Sequence, residues 1–353
     1  MSIKHLELFS GIGGFRKAFD LLSKDFCFQH QCIGFSEIDL NAIKTYQANF
    51  ETANELAMGD IITYLQNNTP SNIDDFSFLT AGFPCQPFSM MGLQQGFNDV
   101  RGSLFFKIVE IIKTKKPQFI LLENVRNITT HNNGRTFQTI LQSLKDNGYC
   151  CYYDVFDTAN FGLSQRRQRV FIFASSTEIG LNFKLTQQNV INNFNTLKTT
   201  SLLFQKNTLD VLEKNVDSKY YLSEKIKPTI LSDGSRNFKS KSEINLLIAR
   251  PLTATMAKMH RACQDNYFSD DFIDGTLSSC SRKVSKEELC KKRIRRITPK
   301  EALLLQGFHA DFYENAKKAG VSDHQLYKQA GNAVSVNTVY AILHYILASA
   351  GII

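Results

Sequence analysis

The 353-residue chain predicts an α/β fold: a doubly wound, mostly parallel sheet, with a smaller, irregular domain after it. Three observations carry this. From Leu6 to Ala174, short apolar strands alternate with segments of helical period. Glycine- or proline-rich turns follow several of those strands. Over 176–292 the periods fade into Asn, Ser, Thr and Lys, and they return at Pro299. The expected division is a first domain over 1–175, a second over 176–292, and a return segment over 293–353. The C-terminal helix of that segment is expected to pack on the first domain.

Leu6–Phe9 reads as a strand ending in glycines, and Phe15, Ala18, Phe19 and Leu22 then recur on one helical face. Cys32–Ser36 is the second strand, followed by Glu37, with Ile43, Tyr46, Gln47 and Phe50 on the next helix. Phe76–Ala81 is the third strand and stops just before Gly82-Phe83-Pro84-Cys85. Phe105, Ile108, Val109 and Ile112 mark a helix, Phe119–Leu122 a buried strand, and Phe137, Ile140, Leu141 and Leu144 another helix. Cys151–Phe156 and Val170–Ala174 close the series. Val336–Leu347 is an amphipathic tail helix.

Composition narrows the class. Hydrophobic residues make up 43% and charged residues 21%, the balance of a soluble globular chain. No run approaches the ~20 apolar residues of a membrane span, and the start does not read as a signal peptide. The eight cysteines lack zinc spacing, so no metal is expected, and they read as reduced thiols of a cytoplasmic protein. The net charge is +8. Between 176 and 297 stand 21 basic and 13 acidic residues, and the rest of the chain is balanced at 20 of each. So confined an excess fits a polyanion partner, and equally a solvated lysine-rich face.

Four stretches carry candidate chemistry. Phe9-Ser10-Gly11-Ile12-Gly13-Gly14 joins the first strand to the first helix, where glycine lets the backbone approach a ligand. Glu37 then stands where a carboxylate meets ribose hydroxyls. Together they fit an adenosine-containing cofactor, or a structural turn. Cys85 lies just past a strand end between Pro84 and Pro87, in a loop too rigid and exposed to be packing material. Glu123-Asn124-Val125 ends another strand. Arg167 and Arg169 alternate on an extended segment, as a shared guanidinium face for phosphate and a base carbonyl or as a solvated charge run.

In order along the chain stand Phe9–Gly14, Glu37, Gly59-Asp60-Ile61, Pro84-Cys85-Gln86, Arg101–Phe105, Glu123-Asn124-Val125, Gln165–Arg169, Arg296–Glu301 with Leu305–Phe308, and Gly331-Asn332-Ala333-Val334. The set resembles the bacterial DNA (cytosine-5) methyltransferases of restriction-modification systems. The resemblance covers nearly all of the chain outside the variable segment. It implies the class I S-adenosylmethionine-dependent methyltransferase fold with a smaller DNA-recognition domain. The cofactor would be S-adenosyl-L-methionine, leaving as S-adenosyl-L-homocysteine. Phe9, Gly11, Ile12, Gly14, Glu37, Asp60, Ile61, Pro84, Leu104 and Asn332 would line its pocket. Cys85 would be the nucleophile, Glu123 would hold ring nitrogen 3 and the exocyclic amine, and Arg169 would reach the cytosine carbonyl. Arg167 would sit beside the phosphate and the catalytic loop. Met91 or Leu93, on a closing loop over 89–96, would meet the DNA, as would Arg250 and Thr253 in Arg250–Thr255. His260, Arg261, Arg236 and Arg282 are candidate readers of bases or phosphates. Ile38 and Ala333 depart from residues frequent in the family, tryptophan and serine.

Such an enzyme adds a thiolate to carbon 6 of cytosine so that carbon 5 becomes nucleophilic, with the target base flipped from the duplex. Its partner would be double-stranded DNA, bound by a monomer at the nucleoid. A cognate restriction endonuclease would act on the same site without stable contact. A tRNA cytosine methyltransferase of the same architecture is disfavoured because its Cys-Phe-Thr tripeptide is missing. A silent DNA-binding relative is disfavoured by retention of Cys85, Glu123, Arg167 and Arg169. The glycine spacing speaks against a nicotinamide dehydrogenase.

Overall fold

The structure is a computed structural model that describes residues 2–84, 104–177, 184–233, 241–276 and 284–353. The chain divides into two compact units. The first comprises 1–157, 168–201 and 338–353, and the second 158–167 and 202–337. The division differs from the expected boundary at 176. Residues 176–201 count with the first unit, while 158–167 and most of the return segment count with the second. Local periodicity does not record which distant strand or loop a connecting segment joins.

The first unit is built on a seven-stranded sheet in the order β3-β2-β1-β4-β5-β7-β6. Its strands are β1 (Ser2–Leu8), β2 (Gln29–Ser36), β3 (Leu56–Ala57), β4 (Phe78–Gly82), β5 (Phe119–Val125), β6 (Tyr149–Asp157) and β7 (Gln168–Ser176). The first five pair in parallel, and β7 runs antiparallel between β5 and β6. This is the expected doubly wound, mostly parallel sheet. The helices are α1 (Gly14–Phe26), α2 (Leu40–Asn49), α3 (Ile61–Asn67), α4 (Leu104–Lys115), α5 (Arg135–Lys145) and α6 (Gln187–Phe194).

Strand alternation sorts side chains onto two faces. Leu6, Leu8, Leu79, Ala81, Ile120, Leu122, Val170, Ile172 and Ala174 share one core with Ile108 and Ile112 of α4 and Ile140 and Leu144 of α5. The opposite face carries an aromatic row. Phe19 of α1 meets Phe78 at 5.0 Å, Phe78 meets Phe119 at 5.7 Å, and Phe119 meets Phe173 at 5.9 Å. The sheet reverses its winding between β1 and β4, so a crevice forms beyond their carboxyl ends, where ligands bind in open sheets.

The second unit contains α7 (Lys227–Leu231), β8 (Tyr267–Ser269), α8 (Asp270–Ile273), α9 (Lys286–Cys290), β9 (Ile294–Arg296), α10 (Pro299–Leu305), α11 (Ala310–Lys318) and α12 (Asp323–Asn332). Strands β8 and β9 pair antiparallel beside a small core of Leu222, Ile230, Leu231, Ile244, Leu289 and Ile294. Helix α13 (Val336–Ser349) follows, and its residues from Thr338 onward count with the first unit. Among the described residues, no helix is long and apolar enough to cross a membrane.

Candidate active site

At the carboxyl end of β1 the backbone turns through left-handed conformations at Phe9 (φ 53°), Gly11 (φ 55°) and Gly13 (φ 82°). A Cβ on Gly13 would collide with Phe50 and stand 2.9 Å from Tyr46, so α1 enters close beneath α2 only because that residue is glycine. The turn is tied to β2: Phe9 N donates to Ser36 Oγ at 3.1 Å and Ser10 N to Ser36 O at 2.9 Å. Glu37 is aimed by three main-chain donors. Gly11 N reaches its Oε2 at 2.8 Å, and Ile38 N and Asp39 N reach Oε1 at 2.9 and 2.8 Å. Asp39 then caps α2, and Asp60 caps α3 through Ile62 N at 3.0 Å.

These residues fit an adenosine-containing cofactor. Open space lies where a Cβ would stand on Gly11 and on Gly59. The Ser10 hydroxyl is buried with no hydrogen-bond partner among the described residues. Ile38, beside Glu37, is 73% exposed, an unusual state for a large apolar side chain. An aromatic base covering Ile38 and a donor meeting Ser10 or Glu37 would satisfy all three. The Ile12 and Ile61 side chains are both buried, and Ile61 belongs to the sheet's core. Gly14 opens α1, Leu104 opens α4, and Asn332 ends α12 in the second unit.

Glu123 pairs in register with Gly82 of β4 on one side and with Phe171 of β7 on the other. Arg169 lies opposite Val125, so Glu123 and Arg169 are diagonal neighbours on one face. Their side chains meet, Arg169 Nε standing 3.1 Å from Glu123 Oε1. Arg169 is thus a member of the ladder, not a residue ahead of the strand: β7 begins at Gln168 because both flanking strands extend to pair with it. Asn124, which sequence reasoning grouped with Glu123 without a role, donates to Phe83 O at 2.8 Å and fixes the chain leading to exposed Pro84. Cys85, Met91, Leu93, the closing loop over 89–96, Arg236 and Arg282 lie outside the described residues.

Arg167 corrects the sequence reading. It is 2% exposed. Its guanidinium donates to three carbonyls of the second unit, Leu252 O at 3.0 Å, Gly331 O at 3.1 Å and Ala333 O at 2.9 Å. Those donors face main chain. The described recognition candidates also have partners within the second unit. Arg261 pairs with Asp265 at 2.9 Å and bonds Thr253 Oγ1. Arg250 Nη1 donates to Glu243 O at 2.7 Å. His260 lies between Tyr267 Oη at 3.2 Å and Arg296 at 3.0 Å, and burial followed by the Arg296 charge holds its pKa below the usual value.

A profile of the C-5 cytosine-specific DNA methylases matches residues 3–348. The chain belongs to that family. The enzyme is an S-adenosylmethionine-dependent DNA cytosine-5-methyltransferase. It is 37% identical to the type II methyltransferase M1.ScrFI of Lactococcus lactis subsp. cremoris, over 98% of this chain and 78% of that protein. It is 36% identical to the type II methyltransferase M.NgoBI of Neisseria gonorrhoeae, over 96% and 91%. Among solved structures it resembles the S. pombe Dnmt2 methyltransferase, with a TM-score of 0.69, 21% identity and 98% of each chain covered. The Entamoeba histolytica methyltransferase EhMeth gives 0.70 at 21% identity, covering 99% of this chain and 98% of its own. At such identities the likeness concerns the fold.

Proposed function

We propose that the enzyme is a type II modification methyltransferase that methylates carbon 5 of a cytosine within one short sequence of double-stranded DNA. The supporting observation is the Glu123–Arg169 pair at the end of β5, opposite Gly82, from which the chain runs through Pro84 to Cys85. The target cytosine is flipped from the duplex, because a stacked base cannot enter a crevice at the edge of a sheet. Glu123 takes ring nitrogen 3 and the exocyclic amine, and Arg169 takes the carbonyl oxygen. The Cys85 thiolate forms a bond to carbon 6, and Glu123 supplies a proton toward nitrogen 3 as charge builds on the ring. Bound S-adenosyl-L-methionine supplies the electrophilic methyl group. Carbon 5 then loses its proton, and the electron pair of that bond expels Cys85 as thiolate. Glu37, Ser10 and Gly11 hold the adenosine portion.

Two other thiols fit the assignment by contrast. Burial pushes Cys32 up to about 12 and Cys151 up to about 11, so neither is a thiolate at neutral pH. The enzyme works as a monomer in the bacterial cytoplasm at the nucleoid. It protects its sites from a cognate restriction endonuclease that reads the same sequence without stable contact.

The test is a duplex carrying the methylated context found by bisulfite sequencing, with 5-fluorocytosine at the target position. No proton can leave that carbon, so the wild-type protein should stay covalently attached to the methylated duplex. Cys85→Ser should form no adduct and lose at least ~10³-fold in 5-methylcytosine yield, of the size seen when a nucleophile is removed. Normal turnover by Cys85→Ser would defeat the reading.

A further inference from the structure

Two motifs at distant points of the chain converge on one short loop of the second unit. Gln165 is fully buried and bridges Ala249 in parallel register. Arg166 N donates to Ala249 O at 2.9 Å, and Ala249 N donates to Ser164 O at 2.7 Å. Gln165 Oε1 accepts from Leu252 N at 3.0 Å, while its Nε2 donates to Leu305 O at 3.0 Å. Arg167 binds Leu252 O on one side and the carbonyls of Gly331 and Ala333 on the other. From the far side, α12 presses Gly331 onto the same loop. A Cβ there would overlap the Thr253 carbonyl carbon and the Ala254 nitrogen, and stand 2.5 Å from Thr253 O.

Gly331 has no left-handed backbone to explain it. It sits inside a helix, where glycine costs roughly 1 kcal/mol relative to alanine. Close approach to Thr253-Ala254 is the physical reason for that residue. Both polar groups of the Leu252 backbone are taken by buried side chains, and the next peptide is pinned by contact. Residues 252–254 are not members of the small core cluster described for the second unit.

We infer that Gln165, Arg167 and Gly331 form a clamp that positions the Leu252–Ala254 loop for reading the DNA sequence. They are positioning residues for specificity, acting through the loop and not on the reacting atoms. The inference rests on the proposed function and on the expectation, implied by the family resemblance, that Thr253 meets DNA. A mismatched base pair costs about 1–3 kcal/mol only if the contacting group cannot shift to accommodate it. Loosening the clamp therefore lowers discrimination before it lowers cofactor binding.

The experiment uses the full chain and plasmid DNA from a host without cytosine methylation. Wild type, Gly331→Ala and Gln165→Met are compared by genome-scale bisulfite sequencing, by KM for the plasmid, by calorimetric affinity for S-adenosyl-L-methionine and by thermal melting. Gln165→Met keeps the volume while deleting both side-chain hydrogen bonds, so it carries the test if Gly331→Ala does not fold. Each variant should raise KM for DNA about tenfold, a loss of ~1.4 kcal/mol. The ratio of methylation at the wild-type context to contexts one base away should fall by a similar factor. Cofactor affinity should stay within about twofold (under ~0.5 kcal/mol). Unchanged context and KM in a folded variant would overturn the clamp, as would a loss of cofactor affinity matching the loss in kcat/KM. Wild-type protein that leaves the plasmid free of 5-methylcytosine would instead overturn the proposed function.

Discussion

Glu37 is a surface carboxylate held in one orientation by three amides that belong to two different turns. A carboxylate offers about four acceptor positions, so one remains toward the crevice. Replacement by glutamine keeps the size but turns an amide NH₂ toward main-chain N–H groups. The side chain must then rotate or forfeit a bond. We expect Glu37→Gln to weaken S-adenosyl-L-methionine about tenfold, equivalent to ~1.4 kcal/mol for one charge-assisted bond, with the melting curve nearly unchanged. Calorimetry on the free protein reads this directly, and undiminished affinity would remove Glu37 from the site. At this scale the sequence was informative wherever a side chain's partner was local. Glu37 follows a strand signal, and Asp60, expected only from the family resemblance, caps a helix. The partners of Arg167 were not legible because they are carbonyls 85 to 166 positions away, and no local pattern encodes those.

Most helices and strands of the first unit were legible because each buries a face of regular period; the short helices α3 and α6 were not read from the sequence. The two-residue β3 and the antiparallel direction of β7 were not, since neither length nor direction of pairing is written in alternation. The second unit was less legible still. Its paired strands are three residues each, and of the basic residues over 291–296 only Arg295 is fully buried while Lys291 and Arg293 stay exposed. Arg295 is fully buried in a two-pronged pair with Glu301, Lys292 meets Asp271 and Arg293 meets Asp270. Glu301 also completes a capping box with Thr298, followed by Pro299 at the first helical position. This part of the family motif is therefore helix-start and ion-pair structure. One element-level contact has a measurable consequence. Asp25, just before the end of α1, accepts hydrogen bonds from Thr199, from Ser201 at 2.5 Å and from Tyr340 of α13 at 2.6 Å. Burial pushes its carboxyl up, but the three hydroxyls outweigh that and hold it below the usual value. Asp25→Ala should destabilise the protein by about 2 kcal/mol in urea unfolding, within the range for bonds to a charged acceptor. A carboxyl depressed in the folded state stabilises above its unfolded pKa, and that contribution fades as pH falls through the acid range. The gap between wild type and variant should therefore narrow below about pH 4; a gap independent of pH would assign the effect to packing alone.

At the scale of the whole molecule, two groups of the central strand β1 make stability depend on pH in opposite senses. His5 and Glu7 are both fully buried and project to the same face of the sheet. His5 hydrogen-bonds Thr80 at 2.6 Å and His30 at 3.3 Å. Burial, then the neighbouring His30 and Arg16 charges, lowers its pKa well below 6.5. Glu7 accepts from Tyr46 at 3.1 Å, and burial raises its carboxyl to about 8 despite the nearby Arg16, with Asp20 pushing the same way. Both groups are therefore neutral in the folded protein at pH 7. Below 6.5 the unfolded chain binds a proton at His5 that the folded protein refuses, so this residue makes stability fall as pH falls. Between 4.5 and about 8 the folded protein holds a proton at Glu7 that the unfolded chain has lost, so this residue makes stability fall as pH rises. The two effects oppose each other from 4.5 to 6.5, and of the pair only Glu7 contributes above that, with a limiting slope of about 1.4 kcal/mol per pH unit. Glu7→Gln keeps an acceptor for Tyr46 and has no proton to lose. It should leave stability near pH 5 little changed and raise it above wild type between pH 7 and 8, the advantage growing with pH. Urea unfolding at pH 5, 6.5 and 8 gives the three points needed, and parallel curves for wild type and variant would mean that Glu7 is ionised inside the fold.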